Sequence, residues 1–119
     1  MGESFKDLLV CQKAMELARE IYRLTDAFPD LERFGLTGQM RRAAVSVPSN
    51  VAEGYARSST GEYVLFLGHG RGSCAELETQ LLLSRSLGFG KEQSQKTAMG
   101  LCADTGRLLH ALMQSLKPR

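Results

Sequence analysis

The run Ser46-Val47-Pro48-Ser49-Asn50-Val51-Ala52-Glu53-Gly54-Tyr55-Ala56-Arg57 keeps helical spacing straight through a proline. A proline inside a helix removes one backbone donor and crowds the carbonyl four residues earlier, at a cost of about 3 kcal/mol or more. The rest of the fold must offset that loss. Met40, Ala44, Val47, Val51 and Tyr55 continue one apolar face across Pro48, which predicts a helix whose axis bends there. Arg42, Ser46, Asn50, Glu53 and Arg57 form a second row of polar and charged groups. Unsatisfied buried polar groups cost about 1–3 kcal/mol each. Asn50, Glu53 and Arg57 are therefore expected to form a satisfied network, either at the edge of their own bundle or across a contact between subunits. Ser46 or Ser49 can serve backbone groups disturbed by Pro48, and Gly54 would let a neighbouring backbone come close.

Three further amphipathic helices flank this one. Ser4 or a neighbour can cap the first, whose expected stripe is Leu8, Cys11, Ala14, Met15, Ala18, Ile21, Tyr22 and Thr25, ended by Phe28-Pro29. Thr37 is a candidate cap for the second helix. Ser59 followed by Glu62 has capping-box spacing and opens the third. The third helix's expected stripe runs Tyr63, Phe66, Leu67, Gly70, Cys74, Leu77, Leu81 and Leu87, with Glu76, Glu78, Gln80 and Arg85 mostly outward. After the break at Gly88-Phe89-Gly90, the last helix aligns Met99, Cys102, Thr105, Leu109, Leu112 and Leu116, widened by Leu101, Leu108 and Met113, before Pro118 closes the chain. Short connections force consecutive helices antiparallel, so residues 1–119 are expected to form one all-α domain, an up-down-up-down four-helix bundle with its second helix bent at Pro48.

Val64-Leu65-Phe66-Leu67-Gly68-His69-Gly70-Arg71-Gly72-Ser73 imitates a strand entering a glycine-rich phosphate loop. The imitation is incomplete. No Gly-Lys-Ser/Thr ending follows, no third glycine falls at dinucleotide spacing, and no strand-helix alternation appears elsewhere. The favoured reading is a helix in which Gly68, Gly70 and Gly72 form small-residue ridges for a tightly packed neighbour.

Cys11, Cys74 and Cys102 are expected to be reduced and to pack as small hydrophobes. Neither a Cys-x-x-Cys nor a His-x-x-x-His pair is present, and His69 and His110 stand apart, so no metal site or cofactor is expected. No apolar run approaches the roughly 20 residues of a membrane span, which makes the cytoplasm the expected location and a membrane partner unexpected. A net charge of +2 is mild, but its distribution is uneven. Acids outnumber bases up to Glu32, after which Arg33, Arg41, Arg42 and Arg57 face only Glu53. A solvated basic face and a ligand-binding surface both fit that pattern, and Glu53 with Arg57 has the spacing of a helical ion pair.

The central run resembles the signature of the 23S rRNA intervening-sequence protein family. So do Leu8-Leu9-Val10-Cys11-Gln12-Lys13-Ala14-Met15-Glu16-Leu17-Ala18, Ile21-Tyr22, Phe28-Pro29, Leu36-Thr37-Gly38-Gln39-Met40-Arg41-Arg42-Ala43-Ala44, Gly72-Ser73 and Glu76-Leu77-Glu78-Thr79-Gln80-Leu81. The resemblance implies a four-helix bundle and assembly as a homopentameric ring, and no settled biochemical activity. Some similar proteins act with reverse transcriptases in diversity-generating retroelements and engage nucleic acid, which implies RNA, DNA or a protein such as a reverse transcriptase as a partner. Two departures stand out: Cys11 occupies a position usually held by tryptophan, and the three clustered glycines replace a more ordinary helical stretch.

The leading expectation is a non-catalytic homo-oligomeric adaptor that binds RNA or DNA through phosphates. A ring would repeat a weak basic surface and convert it to avidity. Arg41 and Arg42 are the leading contacts, with Arg33 and Arg57 behind them, and Ser46, Pro48, Asn50, Glu53, Gly54 and Arg57 form the structural or interface motif. The competing expectation is a protein-interaction scaffold with no nucleic-acid role. An enzyme is not expected: His69 and Ser73 have helical spacing, but no orienting third group accompanies them.

Overall fold

Four helices account for most of the chain in the computed structural model, which describes residues 5–117. They are α1 (Phe5–Asp26), α2 (Leu36–Tyr55), α3 (Thr60–Ser86) and α4 (Glu92–Leu116), with one 3-10 turn at Asp30–Glu32 between α1 and α2. Each helix packs against two others in the cyclic order α1, α2, α3, α4, giving a rod of 47 × 23 × 18 Å. The caps expected at Ser4 and the stop at Pro118 lie outside the described residues. Among the described residues, no helix is long and apolar enough to cross a membrane.

The second helix runs unbroken through Pro48. Met40, Ala44, Val47 and Val51 are fully buried on its expected face, so packing of that face against α1 and α3 offsets the missing donor. Thr37 is not its cap. Gly35 holds the cap position, and the Leu36 amide donates instead to Glu32 Oε1 at 3.1 Å, because the 3-10 turn brings that carboxylate back over the helix start. The third helix opens as its sequence predicts: the Glu62 amide donates to Ser59 Oγ at 3.1 Å. It continues without interruption through Gly68, Gly70 and Gly72, which rules out a phosphate loop there.

The first helix is rotated from its expected register. Val10, Ala14, Leu17, Ile21 and Leu24 fill the core, with Phe28 just beyond the helix end. Leu8, Met15 and Tyr22, expected inside, are close to half exposed, and Cys11 is exposed as well. Four consecutive apolar residues, Leu8 to Cys11, begin two possible stripes. The structure buries the one that carries Val10, Leu17 and Leu24 and leaves Leu8, Met15 and Tyr22 outside, while Ala14 and Ile21 are buried in either register. In α3, Leu87 is exposed and Gln80 is buried, the reverse of expectation. Gln80 Nε2 donates to Glu76 at 3.4 Å, while its Oε1 has no partner among the described residues.

Polar ties fix both ends of the bundle. At one end the Tyr63 hydroxyl donates to the Asp7 carboxylate, crossing from α3 to α1, and both residues are buried. At the other end Gln95 Nε2 donates to Ser84 Oγ at 2.8 Å and to the Phe89 carbonyl at 3.0 Å. There the α3–α4 turn takes positive φ at Gly88 and Gly90, which glycine adopts without the steric cost other residues meet.

Burial, followed by the hydrogen bond to Asp7, raises the Tyr63 phenol well above its ordinary value of 10.0. The folded state therefore holds this proton more tightly than the unfolded chain. Its stabilising contribution is full below pH 10 and is lost progressively as pH rises above that value. An alkaline unfolding titration is expected to show a falling limb above pH 10 that Tyr63→Phe flattens. An unchanged limb in that variant would assign the effect elsewhere.

Candidate functional site

The polar row of α2 divides into separate groups. Asn50 Nδ2 donates to the Ser46 carbonyl at 2.8 Å, one turn back, beside the position where Pro48 removes a donor. Ser46 Oγ donates to the Ala43 carbonyl at 3.0 Å and is hydrogen-bonded to Ser73 Oγ, tying α2 to α3. Farther along, Arg57 pairs with Glu53 at 3.1 Å and Glu62 at 3.8 Å, while its guanidinium lies 4.6 Å from the centre of the Phe66 ring. These contacts commit Arg57 to the α2–α3 corner. Gly54 completes the motif: a Cβ there would stand 2.8 Å from Phe66 Cβ and 3.2 Å from the Tyr63 carbonyl. The close backbone approach expected at this glycine is present within one chain.

Arg41 is similarly occupied. Its Nε donates to Thr25 Oγ1 at 2.8 Å, its Nη2 pairs with Asp26 at 2.9 Å, and its guanidinium covers the Tyr22 ring at 4.5 Å. Sequence spacing could not reveal this clamp, because its partners all lie on α1. Arg42 and Arg33 differ: both are exposed, and neither forms an ion pair with a described residue. Arg42 lies between two shallow grooves, one with Gln39, Ser46 and Glu76, the other with Tyr22, Val45 and Ser49.

An apolar strip borders this position. Leu8, Met15 and Tyr22 recur at heptad spacing on the outside of α1, and Val45 joins Tyr22 beside Arg42. The register shift in α1 is what brings the strip to the surface. At the α1–α2 connection, Leu31 and Phe34 are 95% and 91% exposed on either side of Arg33.

The three glycines of α3 do not make the expected tight ridge. A Cβ on Gly70 would meet Val47 O, Asn50 Cβ and Leu109 Cδ1 at 3.6–3.8 Å, one on Gly68 would meet only Met113 Cε at 3.6 Å, and one on Gly72 would meet nothing within 4 Å. His69 stacks near Phe66, with ring centroids 5.6 Å apart. His110, rather than His69, shares a groove with Cys74 and Cys102. Among the described residues, no cluster of three or more His, Cys, Asp or Glu side chains could hold a metal ion.

The family model described as 23S rRNA-intervening sequence protein matches residues 6–111. A search of curated proteins found no match. Among solved structures, the chain is similar to a protein of unknown function from the S23 ribosomal protein family of Bacteroides thetaiotaomicron. The two share 20% identity and a TM-score of 0.84, over 92% of this chain and 99% of that one. That likeness extends to the fold.

Proposed function

Because the chain belongs to the 23S rRNA-intervening sequence protein family, and its outer surface sets an unpaired arginine beside an apolar strip, we propose that it is a non-catalytic homo-oligomeric adaptor that binds RNA or DNA through phosphates. Arg42 beside Tyr22 and Val45 is the observation that carries this reading. Burial of Leu8, Met15, Tyr22 and Val45 between copies would remove an otherwise exposed apolar surface from water. A closed ring of five would then repeat Arg42 around one rim, with Arg33 available from the neighbouring connection. Arg41 and Arg57 hold the bundle together in this reading and contribute little to phosphate binding.

Native mass measurement and fluorescence anisotropy with labelled single-stranded RNA test both parts. Binding is expected to weaken with salt, with a slope of about −0.7 per phosphate neutralised. Arg42→Gln should weaken binding and make that slope shallower while leaving the assembly mass unchanged. An intact oligomer that binds neither RNA nor DNA at low salt would eliminate the nucleic-acid role. Exposed Leu31 and Phe34 would then favour the second reading, a scaffold for a protein partner such as a reverse transcriptase, which a pulldown after nuclease treatment would isolate.

A further inference from the structure

A groove of about 630 Å³ runs between α3 and α4, with Cys74 and Cys102 in its wall and Arg71, Arg107 and His110 around it. The two cysteines retain only 5% and 2% of their exposure, but their place in the groove wall gives small solutes an approach. The Cys102 thiol donates to the Cys74 carbonyl at 3.2 Å. That contact sets the Cys102 sulfur against the Cys74 backbone across the α3–α4 packing, and a disulfide between them needs Cα atoms about 4.4–6.8 Å apart. Packing as small hydrophobes explains their burial but not this pairing.

The pair is also chemically unequal. A hydrogen bond between the two side chains, distinct from the one to the carbonyl, lowers the Cys74 thiol below its ordinary value, outweighing burial and the nearby Glu78 carboxylate. Cys102 is pushed up, first by that same hydrogen bond and then by burial. Thiolate, rather than thiol, is the nucleophile, so the asymmetry selects Cys74 as the attacking sulfur.

We propose that Cys74 and Cys102 form a dithiol modification site that hydroperoxides oxidise to a disulfide joining α3 and α4. The Cys74 thiolate attacks the peroxide: an S–O bond forms, the O–O bond breaks, and hydroxide leaves and takes up a proton. Cys74 is then a sulfenic acid. The Cys102 sulfur attacks it, forming the S–S bond as the S–O bond breaks, and the departing oxygen takes the Cys102 proton to leave as water. In total two thiols are oxidised and one hydrogen peroxide is reduced to two waters.

Hydrogen peroxide treatment of the full chain, followed by denaturation, alkylation and peptide mass mapping, tests the site. The expected product is a linked pair of peptides containing Cys74 and Cys102, two hydrogens lighter than their sum and restored by dithiothreitol. In Cys102→Ser, Cys74 should instead be trapped by the sulfenic-acid reagent dimedone. Recovery of both residues as alkylated thiols, under conditions that oxidise exposed Cys11, would overturn the proposal. So would disulfides formed only through Cys11.

Discussion

Replacing Gly68, Gly70 and Gly72 together with alanine is expected to stabilise the bundle by about 1.5–3 kcal/mol, because each mid-helix glycine costs about 0.5–1 kcal/mol relative to alanine. None of the added methyl groups would approach a neighbour closer than 3.6 Å, so no steric cost opposes the gain. For a chain of this length the melting temperature should rise by roughly 5–15 °C, measurable by thermal denaturation under circular dichroism. A loss of stability at Gly72 alone would mean that another copy covers that strip of α3. The gain expected at Gly70 follows from the packing inside one chain and is independent of assembly.

Gly54→Ala is expected to do the opposite and lower stability by about 1–3 kcal/mol, the usual range for overpacking a filled interior. The new methyl would fall 2.8 Å from Phe66 Cβ, 3.0 Å from the Tyr63 ring and 3.2 Å from the Tyr63 carbonyl. A Cβ and a carbonyl are held by the backbone of α3 and cannot rotate away, so α2 and α3 would have to separate. That shift would also disturb Arg57, which lies over Phe66. Urea unfolding of Gly54→Ala beside Gly70→Ala gives the measurement, and equal responses would remove the claim that helix contact distinguishes them.

The number of apolar rows on each helix decides how much of its packing can be read from the chain. In α2 and α4 a single apolar row dominates, and the predicted core residues Met40, Val47, Val51, Cys102, Leu109 and Leu112 are buried. In α1 two apolar rows start side by side at Leu8 to Cys11, and periodicity alone gives no reason to choose between them. The excess of apolar rows was itself the readable sign that α1 has a surface beyond its own core. The arginines show the same limit: Arg57 finds Glu53 one turn away, which spacing predicts, whereas Arg41 finds Tyr22, Thr25 and Asp26 across a helix contact. Asp7 and Gln95 escape pattern reading because a buried polar residue becomes visible only with its partner, which for Asp7 lies 56 positions away and for Gln95 across the α3–α4 turn.

The Asp7–Tyr63 bond bears on the order in which the molecule assembles. Its partners are separated by 56 positions, and a contact that distant forms only after the intervening chain has been ordered at a cost in entropy. Tyr63 also packs edge-on against Tyr55, with ring centroids 5.8 Å apart, so α2 helps to hold the ring whose hydroxyl meets α1. A bond this non-local is expected to form after the transition state, so Tyr63→Phe should speed unfolding more than it slows folding in a stopped-flow measurement.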